Sequence, residues 1–281
     1  MSAGPDDRPI GVFDSGVGGL TVLSELRRRL PEERFVYLGD NARTPYGPRP
    51  AQEVLRFTLE SVAWLLDQDV KLLVLACNTA TAHALPLVRD RSSVPVLGVV
   101  RPGAVAVTAA TRTGHVGVVA TAGTVASGAY LDAISEADPD LVVRQQACPD
   151  LVPLVEAGEL EGPRVEAAVR GYLDELRAVD PEIDTLLLGC THYPLLLPII
   201  AAEVGPSVAV VDSAFTTAVA VEDLLDALGR RASGASGGVE VATTGSVGAF
   251  ERVATALFGA GLPPVASVEL PTPTPVTADP G

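Results

Sequence analysis

Cysteine and lysine are both scarce in this 281-residue chain, and each scarcity excludes a chemistry. The three cysteines, Cys77, Cys148 and Cys190, are too few for a disulfide framework, and no two share the close spacing of a metal knuckle or a redox motif. Free thiols and no bound metal are expected. The single lysine, Lys71, is the one candidate for a pyridoxal-phosphate Schiff base. It stands where Asp69-Val70-Lys71 opens the apolar run Leu72–Leu75, a place that suits a solvated strand end. Positive charge is short too: 20 Lys and Arg against 35 Asp and Glu give a formal net charge of −15, without the cations that a nucleic-acid binder needs. No run of 18 apolar residues could span a membrane, and Met1–Arg8 has no apolar core for a secretory signal, so a cytoplasmic location is expected.

What is present is apolar and periodic. Hydrophobic residues make 47% of the chain, enough for two domains with sizeable cores. Runs of strand length occur at Ile10–Phe13, Arg34–Leu38, Leu72–Ala76, Val94–Val99, Val116–Ala120, Leu141–Gln145, Leu186–Gly189 and Val208–Val211. Helical patterns fall between them at Leu20–Leu30, Ala51–Leu66, Ser127–Glu136, Val165–Arg177 and Thr216–Leu228. This alternation predicts an α/β fold whose mostly parallel sheets are covered by helices on both faces. Arg230–Gly238 reads as a small-residue loop, and Pro271–Gly281, with four prolines, as a mobile tail.

The chain also resembles itself. Leu72–Thr79 and Leu186–His192 are both apolar strands that end in a cysteine and a hydroxyl-bearing turn. Ile10–Gly16 and Val116–Ala122 form a second pair at a similar offset of about 110 residues, as a duplicated domain would give. Each half then presents one cysteine at the C-terminal end of a strand, where open α/β sheets bind ligands.

Asp14-Ser15-Gly16-Val17-Gly18-Gly19-Leu20-Thr21 follows a strand and opens a helix. Gly16 and Gly18, with Asp40 ending the next strand, allow a dinucleotide-binding reading, although Thr21 replaces the third glycine and Asp14 would face a pyrophosphate. Asp14 could equally cap the helix or move protons. Cys77 leaves its strand at Asn78-Thr79-Ala80-Thr81, where a helix N-terminus would favour the thiolate; a buried structural cysteine is the alternative. Pro86 implies a helix that is kinked there or ends early. Cys190-Thr191-His192-Tyr193-Pro194 sets a histidine two residues from the second cysteine, able to pass protons near neutral pH. His83, His115 and Cys148 lack such company and read as structural or surface residues. Two thiols, one acid and one histidine at strand ends suit inversion of a carbon centre through a carbanion, which needs a base on one face and an acid on the other.

The ordered motifs Gly11–Val22, Tyr37–Asp40, Pro45–Arg49, Ala76–Thr81, Pro102–Ala104, Ser127–Tyr130, Cys148–Pro149, Val152–Glu156 and Gly189–Leu195 resemble those of bacterial glutamate racemases, in the cofactor-independent aspartate/glutamate racemase superfamily. The resemblance implies two similar α/β domains related by a rough twofold axis, with the active site between them. Motif order assigns 1–100 plus 211–281 to the first and 101–210 to the second. It further implies interconversion of L-glutamate and D-glutamate without cofactor, supply of D-glutamate for peptidoglycan, and a homodimer. By analogy Cys77 takes the α-proton of D-glutamate and Cys190 that of L-glutamate, with Asp14 assisting Cys77 and His192 assisting Cys190, joined by Glu156. The implied substrate contacts are Asp14, Ser15, Tyr46, Gly47, Asn78, Thr79, Thr191 and His192, and more weakly Thr121, Thr124 and Glu156. Arg43 and Arg49 are the only arginines in the matched strand-end turns, so backbone N–H groups and helix starts are expected to bind the carboxylates. Aspartate racemisation, nicotinamide-dependent oxidoreduction and an acidic binding module remain as rivals.

Overall fold

The apolar runs fold into two separate sheets in which every pairing is parallel. The computed structural model describes residues 4–234, 237–259 and 261–270; the expected tail at 271–281 lies outside them. The described strands are β1 (Ile10–Asp14), β2 (Arg34–Gly39), β3 (Leu72–Leu75), β4 (Val96–Gly98), β5 (His115–Ala120), β6 (Val142–Ala147), β7 (Thr185–Gly189), β8 (Ala209–Asp212), β9 (Gly238–Thr243) and β10 (Val265–Ser267). The helices of the first half are α1 (Leu20–Arg29), α2 (Ala51–Leu66) and α3 (Asn78–Arg91). Those that follow are α4 (Val100–Ala110), α5 (Ala122–Ser127), α6 (Ala129–Ala137), α7 (Leu151–Glu156), α8 (Pro163–Val179), α9 (Leu197–Val204), α10 (Ser213–Leu228) and α11 (Val247–Phe258).

The first sheet runs β10-β9-β2-β1-β3-β4 and the second β6-β5-β7-β8. Four strands thus repeat in the same order, with β1, β2, β3 and β4 answering to β5, β6, β7 and β8, and the duplication read in the sequence is present as topology. β9 and β10 extend the first sheet beyond the repeat. Central strands are buried on both faces: all five residues of β1 and of β7 are buried. One apolar cluster runs through both halves, from Ile10 and Val12 to Leu186 and Leu188. Helix α10 packs on α1 from one side and α4 from the other, joining the two halves.

Two local readings are revised, and at Pro86 one of two alternatives, an early helix end, is excluded. The helix expected over Ser127–Glu136 is two helices, because Gly128 turns the chain at φ +71° between α5 and α6. Helix α3 carries Pro86 in its interior and continues to Arg91. Lys71 is no solvated end. Its side chain is buried, pairs with Glu33 at 2.6 Å, and donates hydrogen bonds to the carbonyls of Asp6 and Arg230. A buried ammonium is stable only when its charge and protons are met in this way.

Candidate active site

Strands β1, β3, β5 and β7 all end at one cavity of about 120 Å³ between the two sheets. Cys77, after β3, and Cys190, after β7, both line it. So do Ser15, Tyr46, Gly47, Asn78, Thr79, Thr121, Thr191 and His192, whereas Asp14, Thr124 and Glu156 are not among the lining residues. No lysine or arginine is in the wall. Arg43 is held by Asp40 at 2.7 Å and by Glu60, and Arg49 by Glu53 at 3.1 Å and the Arg43 carbonyl at 2.8 Å.

The two thiols sit in opposite electrostatic settings. Cys77 caps α3 and accepts the Ala80 N–H at 3.4 Å, with the Ser15 hydroxyl 3.5 Å away. These contacts favour the thiolate, as a helix start should, but burial and the nearby Asp14 carboxyl outweigh them and push the thiol up to about 12. Of the two influences weighed from the sequence, burial outweighs the helix start. Cys190 faces His192, with Nδ1 3.8 Å from the sulfur, and His192 Nε2 lies 3.2 Å from Glu156 Oε1. Burial works against a charged imidazole, yet its partners Cys190 and Glu156 prevail and raise His192 to about 10. One thiol thus has a carboxyl beside it, and the other an imidazole that holds its proton.

The glycine loop serves this arrangement rather than a nucleotide. The Gly16 N–H donates to Asp14 Oδ2 at 2.9 Å, and the Tyr37 hydroxyl donates to the Gly16 carbonyl at 2.7 Å. A β-carbon at Gly18 would lie 2.5 Å from the His192 ring, and Thr21 Oγ1 reaches the Thr191 carbonyl at 3.0 Å. The space a pyrophosphate would need above the loop is filled by the second half of the chain. Asp40 is likewise committed, accepting hydrogen bonds from Thr244 Oγ1 at 2.6 Å and from the Tyr46 hydroxyl.

Threonine hydroxyls close the seam between the halves. Thr79 Oγ1 lies 2.9 Å from Thr121 Oγ1 and 3.2 Å from Thr124 Oγ1. The Gly123 N–H donates to the Gly47 carbonyl at 2.9 Å, so the loop that carries Tyr46 rests on the start of α5. Of the buried side-chain polar atoms without a hydrogen-bond partner among the described residues, two belong to the residues brought together here, Asp14 Oδ1 and Asn78 Nδ2. Sequence reasoning set Cys148 aside as structural, yet it lines the cavity with Pro149, Val152 and Pro153. Its place follows from the start of α7 folding back over the site, which its neighbours in sequence do not reveal. Among the described residues no cluster of His, Cys, Asp and Glu is arranged to hold a metal ion.

Residues 15–222 match the profile of the Asp/Glu/Hydantoin racemase family. The chain belongs to that family. It is accordingly an isomerase. The glutamate racemase of Shouchella clausii is 46% identical over 273 residues, covering 96% of this chain and 98% of that protein. The crystal structure of glutamate racemase isoform RacE1 from Bacillus anthracis superposes with a TM-score of 0.91 at 43% identity, covering 95% of this chain and 99% of that one. That of Francisella tularensis glutamate racemase in complex with D-glutamate gives 0.87 at 32% identity, covering 94% and 98%.

Proposed function

We propose that the protein interconverts L-glutamate and D-glutamate by a two-thiol mechanism. The observation that carries this reading is the unlike pair of cysteines on one cavity, Cys77 beside Asp14 and Cys190 beside His192. Proton transfer through a carbanion needs a thiolate on one face of the α-carbon and a thiol on the other. Cys190, with His192 Nδ1 3.8 Å from its sulfur, takes the α-proton of L-glutamate; Cys77 delivers its proton to the opposite face. In reverse, Cys77 passes its proton to Asp14 and takes the α-proton of D-glutamate, while His192 returns a proton to Cys190, which delivers it to the opposite face.

The wall supplies no lysine or arginine for the carboxylates. Asn78, the threonine hydroxyls of Thr79, Thr121 and Thr191, and backbone N–H groups bind them, with Thr124 fixing its neighbours. Dipoles fixed in a dry site stabilise the carbanion as charge develops, which thiol basicity alone cannot do. Glutamate rather than aspartate is the substrate of this reading because the relatives are named glutamate racemases, one of them 46% identical over nearly the whole chain.

The same reading carries supply of D-glutamate for peptidoglycan, a cytoplasmic location and a homodimer. Among the described residues no helix is long and apolar enough to cross a membrane. It also carries the division into 1–100 plus 211–281 and 101–210, with β8 lying across the second seam.

Optical rotation and α-proton exchange with each glutamate enantiomer in deuterated water test the reading. The parent is expected to racemise both and incorporate deuterium at the α-carbon, while Cys77→Ala and Cys190→Ala each abolish racemisation. Racemisation that survives either change would refute the two-thiol mechanism, and turnover of aspartate alone would refute the substrate.

A further inference from the structure

Tyr130, on α6, is buried in the second half of the chain, yet its hydroxyl reaches the first half and donates to Asn78 Oδ1 at 2.6 Å. Its ring has room because Gly189, the residue before Cys190, lacks a side chain: a β-carbon there would lie 2.8 Å from Tyr130 Cε2. Burial and the nearby Cys190 keep the phenol protonated. An asparagine amide can take two orientations that exchange its oxygen and nitrogen. With the phenol proton on Oδ1, Nδ2 is the group left over; it is buried, has no partner among the described residues, and belongs to a residue of the cavity wall.

We propose that Tyr130 is a positioning residue: by donating to Asn78 Oδ1 from the opposite half, it turns the Asn78 NH₂ toward the cavity to bind a substrate carboxylate. This rests on the glutamate reading and deepens it. Because donor and amide come from different halves, the amide is set only while the halves are together. Substrate recognition is thereby tied to the closed seam.

Steady-state kinetics in both directions on the parent, Tyr130→Phe, Asn78→Ala and the double variant test the proposal. Tyr130→Phe keeps the ring and is expected to raise KM roughly 5- to 10-fold for both enantiomers with kcat within about 2-fold, as loss of one oriented hydrogen bond in both ground and transition states would do. In the Asn78→Ala background the same change should alter KM by less than about 2-fold, since its target is gone. An unchanged KM in Tyr130→Phe, or an equal rise with Asn78 already removed, overturns the proposal. A crystal structure of the parent with glutamate provides a reading that needs no variant: Asn78 Nδ2 on a carboxylate oxygen supports it, and Asn78 Oδ1 turned to the substrate overturns it. A parent inactive on glutamate would remove the substrate reading and this proposal together, whereas an active parent with an indifferent Tyr130→Phe removes only this one.

Discussion

Gly18 and His192 compete for one volume: the glycine lacks the β-carbon that would stand 2.5 Å from the imidazole. The glycine-rich turn of the first half is therefore the floor on which the histidine of the second half rests. Gly18→Ala should displace His192 from Cys190 while the sheets stay intact. A shift of about 1 Å in a catalytic group costs on the order of 10²-fold in rate, and kcat is expected to fall by about that much. Parallel kinetics and thermal unfolding check this; an unchanged kcat would mean that His192 does not need its present position.

The Glu156 carboxylate on His192 Nε2 has a signature in pH. Imidazole has an ordinary value of 6.5, and in this site His192 is raised to about 10 against the penalty of burial, with Cys190 and Glu156 as its partners. Glu156→Gln keeps the shape and removes one of those charges. The alkaline limb of kcat/KM, which reports the free enzyme, is expected to move down by about one unit. Stability follows the same sign. A raised histidine stabilises the fold fully below 6.5, and that contribution fades as pH climbs through about 10, so the urea midpoints of parent and Glu156→Gln should converge over that interval. A limb that stays in place would show that Glu156 does not set the ionisation of His192.

Lys71 provides a prediction about stability alone. Replacing it with methionine leaves the Glu33 carboxylate buried with its cation removed, which should destabilise by roughly 3–5 kcal/mol. Adding Glu33→Gln should recover part of that loss, because the uncompensated charge goes. Urea denaturation of the three proteins measures both effects, and a loss below about 1 kcal/mol for Lys71→Met would show that the pair contributes no more than a surface one.

The sequence is most legible where one strand carries its own signal. Continuous apolar runs mark β1, β3, β5 and β7, and at or just after their ends stand Asp14, Cys77 and Cys190. β9 is harder to read because Gly238-Val239-Glu240-Val241-Ala242-Thr243 alternates and contains little that is bulky, and β10 is three residues long. Lys71 is misread because its carboxylate and carbonyl partners come from three distant segments of the chain. The same limit hides the lining role of Cys148 and the contact of Gly18 with His192. Helix starts and apolar periods are local, whereas the balance between burial and dipole at Cys77 depends on what the fold brings beside it.

The repeated strand order has a geometric meaning. A chain built from L-residues can contain no mirror plane, so no protein can present reflected surroundings to two reflected molecules. Repeating β2-β1-β3-β4 as β6-β5-β7-β8 supplies a rotation in place of a reflection, and the rotation is imperfect, since the position that holds Asp14 in β1 holds Ala120 in β5. Approaches from the two sides of a planar carbon are then chemically unlike. Enantiomers have equal free energy in water, however, so kcat/KM must be the same from either side whatever the residues do. Any substitution in the cavity must therefore change kcat/KM in both directions by one common factor, and the handedness of the site can appear only in how kcat and KM share it.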